Sequence, residues 1–147
     1  PNTPALVGEA VTAICPNANI TDGEKQEIVE LIASFGLAQI VSEKIMDAVI
    51  AVSGSSPAYV FMFIEAMADA AVAEGMPRVQ AYQFAAQSVL GSAKMVLETG
   101  KHPGELKDMV CSPSGTTIEA VKVLEEKGFR SSIIEAMSAC ADKSRNM

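Results

Sequence analysis

The chain has 147 residues, of which 49% are hydrophobic, so it can bury the core of one domain, or of one domain with a small appendage. Its formal net charge of -7, with no basic patch or basic tail, argues against nucleic-acid and anionic-membrane partners. The longest apolar run, near residues 58–64, is far shorter than the ~18 residues of a membrane span, which predicts a soluble protein.

The first 42 residues are predicted to form a strand, a helix and a second strand. Residues 9–15 are β-branched or small and precede the turn residues Pro16 to Asn19. A helix should start at Thr21 or Asp22 and run to Phe35, with Gly36 just past its end. Residues 38–41 can form the second strand. A two-stranded sheet is only marginally stable by itself, so this β-α-β piece is interpreted as the edge of a larger sheet.

From residue 43 onward, long segments rich in alanine and methionine lie between widely spaced glycines and prolines, as in a helical bundle. The fold class is therefore mainly α, with the β-α-β piece over 1–42 and an all-α domain over 43–147. The predicted helices cover residues 43–52, 57–74, a segment opening at Pro77, a short one at 105–110, and then 117–126 and 131–143.

The helix over 57–74 is apolar almost all round, with Glu65 and Asp69 as its main interruptions. Such a helix needs cover from several sides, which indicates a homodimer with interleaved helices. The helix opening at Pro77 carries a packing stripe of alternating steps of three and four. The stripe consists of Val79, Tyr82, Ala86, Val89, Ala93 and Val96, and four further apolar residues, Phe84, Leu90, Met95 and Leu97, lie off it.

Most of the residues that could carry chemistry have simpler explanations. Glu65 and Asp69 share a helix face but lack the histidines of a carboxylate metal site, so no metal is predicted. The single histidine, His102, lies in a Gly/Pro break and is predicted to make only a local hydrogen bond. The three cysteines form no CxxC pair, which indicates reduced thiols in a cytoplasmic protein. No GxGxxG or P-loop is present, so this chain alone should bind no nucleotide.

The segment SPSGTTIEAV, residues 112–121, is more informative. A Ser-Pro-Ser-Gly turn leads into a helix whose first N–H groups lack partners, and such a helix start binds anions. Thr116 and Glu119 also fit a capping box, in which the chain would satisfy those donors itself. From these ten residues alone, the capping box, which needs no ligand, is the favoured interpretation.

Five segments of this sequence together resemble pyrroline-5-carboxylate reductase. They are PNTPA at 1–5, AVSGSSPAY at 51–59, EAMADAAVAEGMPR at 65–78, HPGELKDMVCSPSGTTIEAV at 102–121 and GFRSSIIEAM at 128–137. The family reduces L-1-pyrroline-5-carboxylate to L-proline, using an N-terminal Rossmann domain for NADPH or NADH and a C-terminal helical domain that dimerises, with larger assemblies in some members. The resemblance implies that residues 1–42 are the edge of a truncated Rossmann domain, as in a shortened chain or a proteolytic product, and that the cofactor is not bound by this chain alone.

The resemblance also implies roles for individual residues. The substrate carboxylate would lie at the loop that begins with Ser112 and receive the backbone N–H groups of Gly115, Thr116 and Thr117. The Thr117 hydroxyl would face the ring nitrogen and orient the substrate, because a hydroxyl of such high pKa is a poor proton donor. Asn2 and Thr3 would lie near the cofactor, and no residue is assigned as a catalytic acid or base.

Ser114 and Ser56 depart from the family pattern, which commonly has glycine at both positions. A positive φ at Ser114 would cost strain that glycine avoids, whereas Ser56 before Pro57 is predicted to cap a helix. Two other functions stay open for the chain: a structural dimerisation module without a ligand site, and a domain of a related imine or hydroxyacid reductase.

Overall fold

The computed structural model describes all 147 residues. They form two compact units, one made of residues 1–60 with 134–147 and the other of residues 61–133. The division falls inside two helices, whereas the sequence places a domain boundary after residue 42. That boundary stays a prediction.

The first unit begins with the predicted β-α-β piece. Strands β1 (Ala10–Ile14) and β2 (Gly36–Ile40) pair in parallel, with Ala10 opposite Gly36 and Ile14 opposite Ile40, and helix α1 (Asp22–Ala33) connects them. Thr21 caps α1 with a full capping box, in which its hydroxyl accepts from the Glu24 N–H and the Glu24 carboxylate accepts from the Thr21 N–H. A short 3-10 helix, Thr3–Val7, precedes β1.

Gly36 does not end α1 as predicted but opens β2. The helix already ends at Ala33, and Gly36 has a φ of 150° beside the backbone of Ala10. A Cβ at position 36 would collide with the Ala10 backbone, so the residue is glycine because two strands approach closely there. Helix stops and close strand approaches both call for glycine, and the local sequence does not distinguish them.

Residues 43–54 form a helix of changing pitch, where the sequence predicts one regular helix over 43–52. A 3-10 turn, Glu43–Ile45, leads into α2 (Met46–Val49) and then a π-helical segment, Ile50–Gly54, before α3 (Ser56–Ala73). The predicted cap at Ser56 is wrong, because its hydroxyl donates to the Val52 carbonyl at 2.7 Å and so bonds backwards.

The C-terminal half of helix α7 (Phe129–Arg145) completes this unit. Cys140 Sγ lies 3.1 Å from Ser55 Oγ, and the Ser144 hydroxyl donates to Asp47 at 2.6 Å. Burial raises the pKa of Tyr59, and a hydrogen bond with Cys140 raises that pKa further. Polar side chains of α7 therefore meet the helical segment before α3.

The second unit is all-α, as predicted. It contains most of α3, then α4 (Arg78–Thr99), α5 (Pro103–Val110), α6 (Thr116–Glu126) and the start of α7. Gly75 and Gly100 both have positive φ after the helices that they end, and the Met76 N–H reaches back to the Ala71 carbonyl at 2.9 Å. Phe63 and Phe129 contact each other at a ring-centroid distance of 6.0 Å.

None of the six residues of the packing stripe predicted for α4 is buried within this chain: Val89 and Val96 are half-buried and the other four are exposed. Ala81 and Ala85 are buried, whereas Val79 is 72% exposed and Tyr82 is 41% exposed. Alanines four residues apart let another backbone approach α4 closely, whereas the predicted stripe consists mainly of larger side chains. The large apolar residues of α4 thus face outward within this chain.

The chain has almost no core of large side chains. Its buried hydrophobic residues are five alanines, at positions 10, 51, 68, 81 and 85. Its accessible surface is 10607 Å², whereas a folded monomer of 15.4 kDa exposes about 7,200 Å². Phe61, Met62 and Leu97 are 62%, 68% and 80% exposed. Surfaces this apolar mark contact sites for other protein.

One helical stretch, Glu43–Ala73, is long and apolar enough to cross a membrane by length and composition alone, and little of it is buried within the chain. Counting uninterrupted apolar residues missed it, because residues 53–57 and Glu65 break the apolar run while the average over the longer stretch stays apolar. The core helix of a soluble assembly meets the same criterion, so this is weak evidence for a membrane span.

Candidate functional site

The candidate site is the turn Ser112–Gly115 together with the start of α6. The Gly115 N–H donates to the Ser112 carbonyl at 3.1 Å, which closes a four-residue turn. Pro113 at the second position restricts φ to negative values, and Ser114 at the third has a φ of 56°. This is the sign pattern of a type II turn, whose third position favours glycine.

Ser114 therefore adopts the left-handed backbone conformation, in which it carries strain that glycine would avoid. It is the single residue other than glycine with positive φ in the chain. Such a conformation costs an L-residue roughly 1 kcal/mol, and residues of this kind cluster at functional sites. The strain lies within the turn that precedes α6.

Gly115 has an ordinary extended backbone, with φ -78° and ψ 167°, so its φ does not require glycine. The lack of space requires glycine, because a Cβ at position 115 would collide with the Ser112 hydroxyl and lie 3.2 Å from the Ser112 carbonyl oxygen. The residue that needs conformational freedom is Ser114, and the residue that needs a missing side chain is Gly115. Two successive glycines would serve both demands.

The capping box that Thr116 and Glu119 could form is not made. Gly115 occupies the N-cap position, no side chain caps the helix, and Thr116 is already its first residue. The Glu119 carboxylate turns instead to Lys122 Nζ, at 3.0 Å. The self-satisfied interpretation of this helix start is therefore wrong.

Three backbone donors remain at the start of α6. Of the first four N–H groups, which have no partner inside a helix, that of Gly115 is committed to the turn. Those of Thr116, Thr117 and Ile118 have no acceptor within the chain. The family resemblance implied Gly115 and not Ile118, whereas counting the donors from the N-cap, Gly115, adds Ile118. Thr117 is half-buried and Thr116 and Ser112 are exposed.

Asn2 and Thr3 lie in the other unit, and their surroundings differ. The Asn2 side chain accepts from the Val11 N–H at 2.9 Å and donates to the Ser53 carbonyl at 3.0 Å. It thereby ties β1 to the π-helical segment. Thr3 is exposed. The Asn2 carboxamide is largely occupied by structural bonds, so a cofactor contact there would fall to Thr3 and the backbone.

The remaining polar candidates have structural partners. Asp69 forms an ion pair with Arg78, whose guanidinium lies 5.5 Å from the centre of the Tyr82 ring, and the hydrogen bond with Asp69 raises the pKa of Arg78. His102 Nδ1 accepts from the Gly104 N–H at 3.0 Å and caps α5. The predicted local hydrogen bond of His102 is confirmed.

Comparison with known proteins identifies the family to which this chain belongs. A family model described as pyrroline-5-carboxylate reductase dimerisation matches residues 43–147. The chain belongs to this family. Its match begins where the sequence changes from the β-α-β piece to helices.

Pyrroline-5-carboxylate reductases match the chain over its full length. The relative from Escherichia coli (strain K12) is 63% identical over 147 residues, which are 100% of this chain and 55% of the relative. The relative from Methanosarcina acetivorans is 50% identical over 100% of this chain and 54% of its own length. The chain thus spans about half the length of these relatives.

Solved reductases share the fold. The pyrroline carboxylate reductase of Plasmodium falciparum, solved with NADP bound, superposes with a TM-score of 0.93 at 36% identity and covers 99% of this chain and 60% of its own. The enzyme of Streptococcus pyogenes gives 0.94 at 35% identity over 100% and 57%. The predicted fold class, a helical dimerisation domain after a small β-α-β piece, is confirmed.

Proposed function

We propose that this chain is the substrate-binding and dimerisation part of an oxidoreductase that reduces L-1-pyrroline-5-carboxylate to L-proline with NADPH or NADH. One observation carries the proposal: the unpartnered N–H groups of Thr116, Thr117 and Ile118 point from a helix start, behind a closed turn, in a chain of this family. Related imine or hydroxyacid reductases share such a layout, but the five matching segments favour the pyrroline substrate.

The substrate carboxylate binds at the start of α6. A helix N-terminus carries a partial positive charge, and its free N–H groups donate to an anion. Glu119, in the first turn, would repel a carboxylate, but Lys122 lies 3.0 Å from it and offsets its charge. Thr116 and Thr117 supply the donors, with Ile118 in place of the committed Gly115, and Ser112 borders the loop.

The rest of the ring is oriented by Thr117. Its hydroxyl faces the ring nitrogen and fixes the direction in which the C=N bond is presented, without giving up its proton. The nicotinamide cofactor, when bound, supplies a hydride to the imine carbon, and the nitrogen takes its proton before that transfer. This chain contributes binding and orientation of the imine.

The cofactor is held mainly outside this chain. A two-stranded sheet without GxGxxG offers no pyrophosphate site, and Asn2 is occupied by Val11 and Ser53. Asn2 and Thr3 border the cofactor through the remaining polar groups of their loop. The chain alone is inactive.

The open apolar faces of α3 and α4 form the dimer interface. The surface exposed beyond that of a compact monomer, about 3,400 Å², exceeds what one protomer buries in a standard interface. Interleaved helices cover α3 on more than one side, which also accounts for the hydropathy of Glu43–Ala73 in a soluble, cytoplasmic protein. Such dimers can build larger assemblies.

A chimera tests the proposal. The matching 55% of the Escherichia coli reductase is replaced by this chain, and reduction of L-1-pyrroline-5-carboxylate is followed through NADPH oxidation. We expect activity, and a Thr117→Ala change should raise KM about tenfold while light scattering still shows a dimer. Thr117→Ser, which keeps the hydroxyl, is the matched control. Unchanged kinetics in Thr117→Ala would remove the role of that residue.

A structural module without a ligand site makes a different prediction. Calorimetric titration of the chimera with L-proline should give saturable binding that Thr117→Ala weakens. An inactive chimera that dimerises and binds no proline would favour the structural function.

A further inference from the structure

His102 is well placed to affect the candidate site through α5. It is the N-cap residue of that helix, and its Nδ1 atom accepts from the Gly104 N–H at 3.0 Å. Pro103, the first residue of α5, has no N–H to satisfy, and the Leu106 N–H makes the first helical bond to the His102 carbonyl at 3.2 Å. The imidazole thus satisfies a donor that the helix cannot.

The space beside Gly104 is filled by the same imidazole ring. A Cβ at position 104 would lie 3.0 Å from His102 Nδ1 and 3.3 Å from Cε1, and apart from its chain neighbours and the backbone of α5 it would meet no other atoms within 4 Å. The φ of Gly104 is not positive, so conformational freedom does not require glycine there. The missing side chain leaves room for the ring itself.

Helix α5 leads straight into the turn that precedes α6. It has eight residues, and the Cys111 N–H donates to the Lys107 and Asp108 carbonyls at 3.2 and 3.1 Å, directly before Ser112. A helix this short is marginal without a cap. The position of Ser112 therefore depends on how firmly α5 is held at its other end, about 12 Å away.

We propose that His102 is a positioning residue for the substrate site: by capping α5 with an unprotonated Nδ1, it holds the Ser112–Gly115 turn and the donors of α6 in place. The inference rests on the proposed function for its kinetic consequences. An imidazole accepts a hydrogen bond only at a nitrogen without a proton, and Nδ1 is the accepting atom here. The charged neighbours at this helix start, Lys101 and Glu105, pair with each other at 2.6 Å.

The kinetic test compares His102→Ala with His102→Asn in the chimera. Asparagine is a good cap that does not titrate. We expect His102→Ala to raise KM for L-1-pyrroline-5-carboxylate about fivefold, the factor that corresponds to loss of a helix cap, with KM for NADPH and kcat within twofold. His102→Asn should stay within twofold of the parent at pH 8. Lys101→Ala, which breaks only the surface ion pair, is the control.

The conservative variant separates positioning from general structural damage. His102→Asn keeps a side-chain acceptor at the N-cap of α5, so it should retain the KM that His102→Ala loses. An unchanged KM in His102→Ala, or an equal loss in the asparagine variant, would overturn the inference.

Hydrogen exchange provides a readout that does not need activity. In the chain itself, His102→Ala should speed amide exchange in residues 103–110 and also in residues 115–118, whereas His102→Asn should not. Faster exchange confined to α5 would show that the cap does not reach the turn and would reject the inference. An inactive parent chimera would count against the proposed function, and the exchange result would still decide the role of His102.

Discussion

The hydroxyl of Ser112 occupies the space into which a Cβ at position 115 would project, while the Gly115 N–H donates back to the Ser112 carbonyl at 3.1 Å. Gly115→Ala should therefore force Ser112 into another rotamer and destabilise the turn by about 1–3 kcal/mol. The free energy of unfolding in urea measures the cost. Adding Ser112→Gly to Gly115→Ala should recover part of it, and a double variant no more stable than the single one would contradict the steric explanation.

Ser114→Gly should stabilise the chain. Glycine adopts a φ of 56° without the strain that serine carries there, and this outweighs its greater freedom in the unfolded state by up to about 1 kcal/mol. The expected rise in the melting temperature is about 2–4 °C. Ser114→Ala, which keeps a Cβ, is the matched control and should give no rise. A lower melting temperature in the glycine variant would show that the Ser114 hydroxyl contributes more than its backbone costs.

The capping box at Thr21 makes the free energy of unfolding depend on pH in the acidic range. The hydrogen bonds from Thr21 lower the pKa of Glu24 below its ordinary value of 4.5. A folded-state pKa below the unfolded one means that the folded chain binds fewer protons, so this stabilisation is present above the ordinary pKa and is lost as pH falls through the folded value. Thr21→Ala should remove this acid dependence and cost about 1 kcal/mol at pH 7.

Urea unfolding of Thr21→Ala between pH 7 and pH 3, with the Glu24→Gln variant beside it, measures this effect. Glu119→Gln is the matched control, because Glu119 has the same spacing from a threonine and forms no box. If Glu119→Gln lost as much of the pH dependence as Thr21→Ala, the effect would come from the net charge of the chain and not from the capping box.

Leu97→Asp should break the proposed dimer. Leu97 on α4 is 80% exposed within one chain, so a carboxylate there costs little in a monomer but would be desolvated in an interface. We expect light scattering to show a monomer at micromolar concentration for this variant and a dimer for the unmodified chain. Glu98→Gln, one residue along the same helix, should stay dimeric. A dimeric Leu97→Asp would place the interface on another face.

Much of the fold follows from local chemistry along the chain. Most of the helices and both strands lie close to their predicted positions, because Gly75, Gly100 and the prolines that start or precede helices act through their own backbone geometry. Gly36 is the counter-example. Its glycine is required by the Ala10 backbone, 26 positions earlier, which no local pattern reveals.

Thr21 and Thr116, which precede Glu24 and Glu119 by three residues, show the limit of prediction from local sequence. Both sequences fit a capping box, yet only Thr21 forms one, because the turn from Ser112 delivers Gly115, and not Thr116, in the extended conformation that an N-cap needs. The local sequence is enough to predict that a turn leads into a helix here, and its motifs resemble one reductase family. The folded structure was needed to establish which N–H groups stay free, because that depends on the backbone angles of the Ser112–Gly115 turn. It was needed also to establish which apolar faces stay exposed, because that depends on packing between residues far apart in the chain.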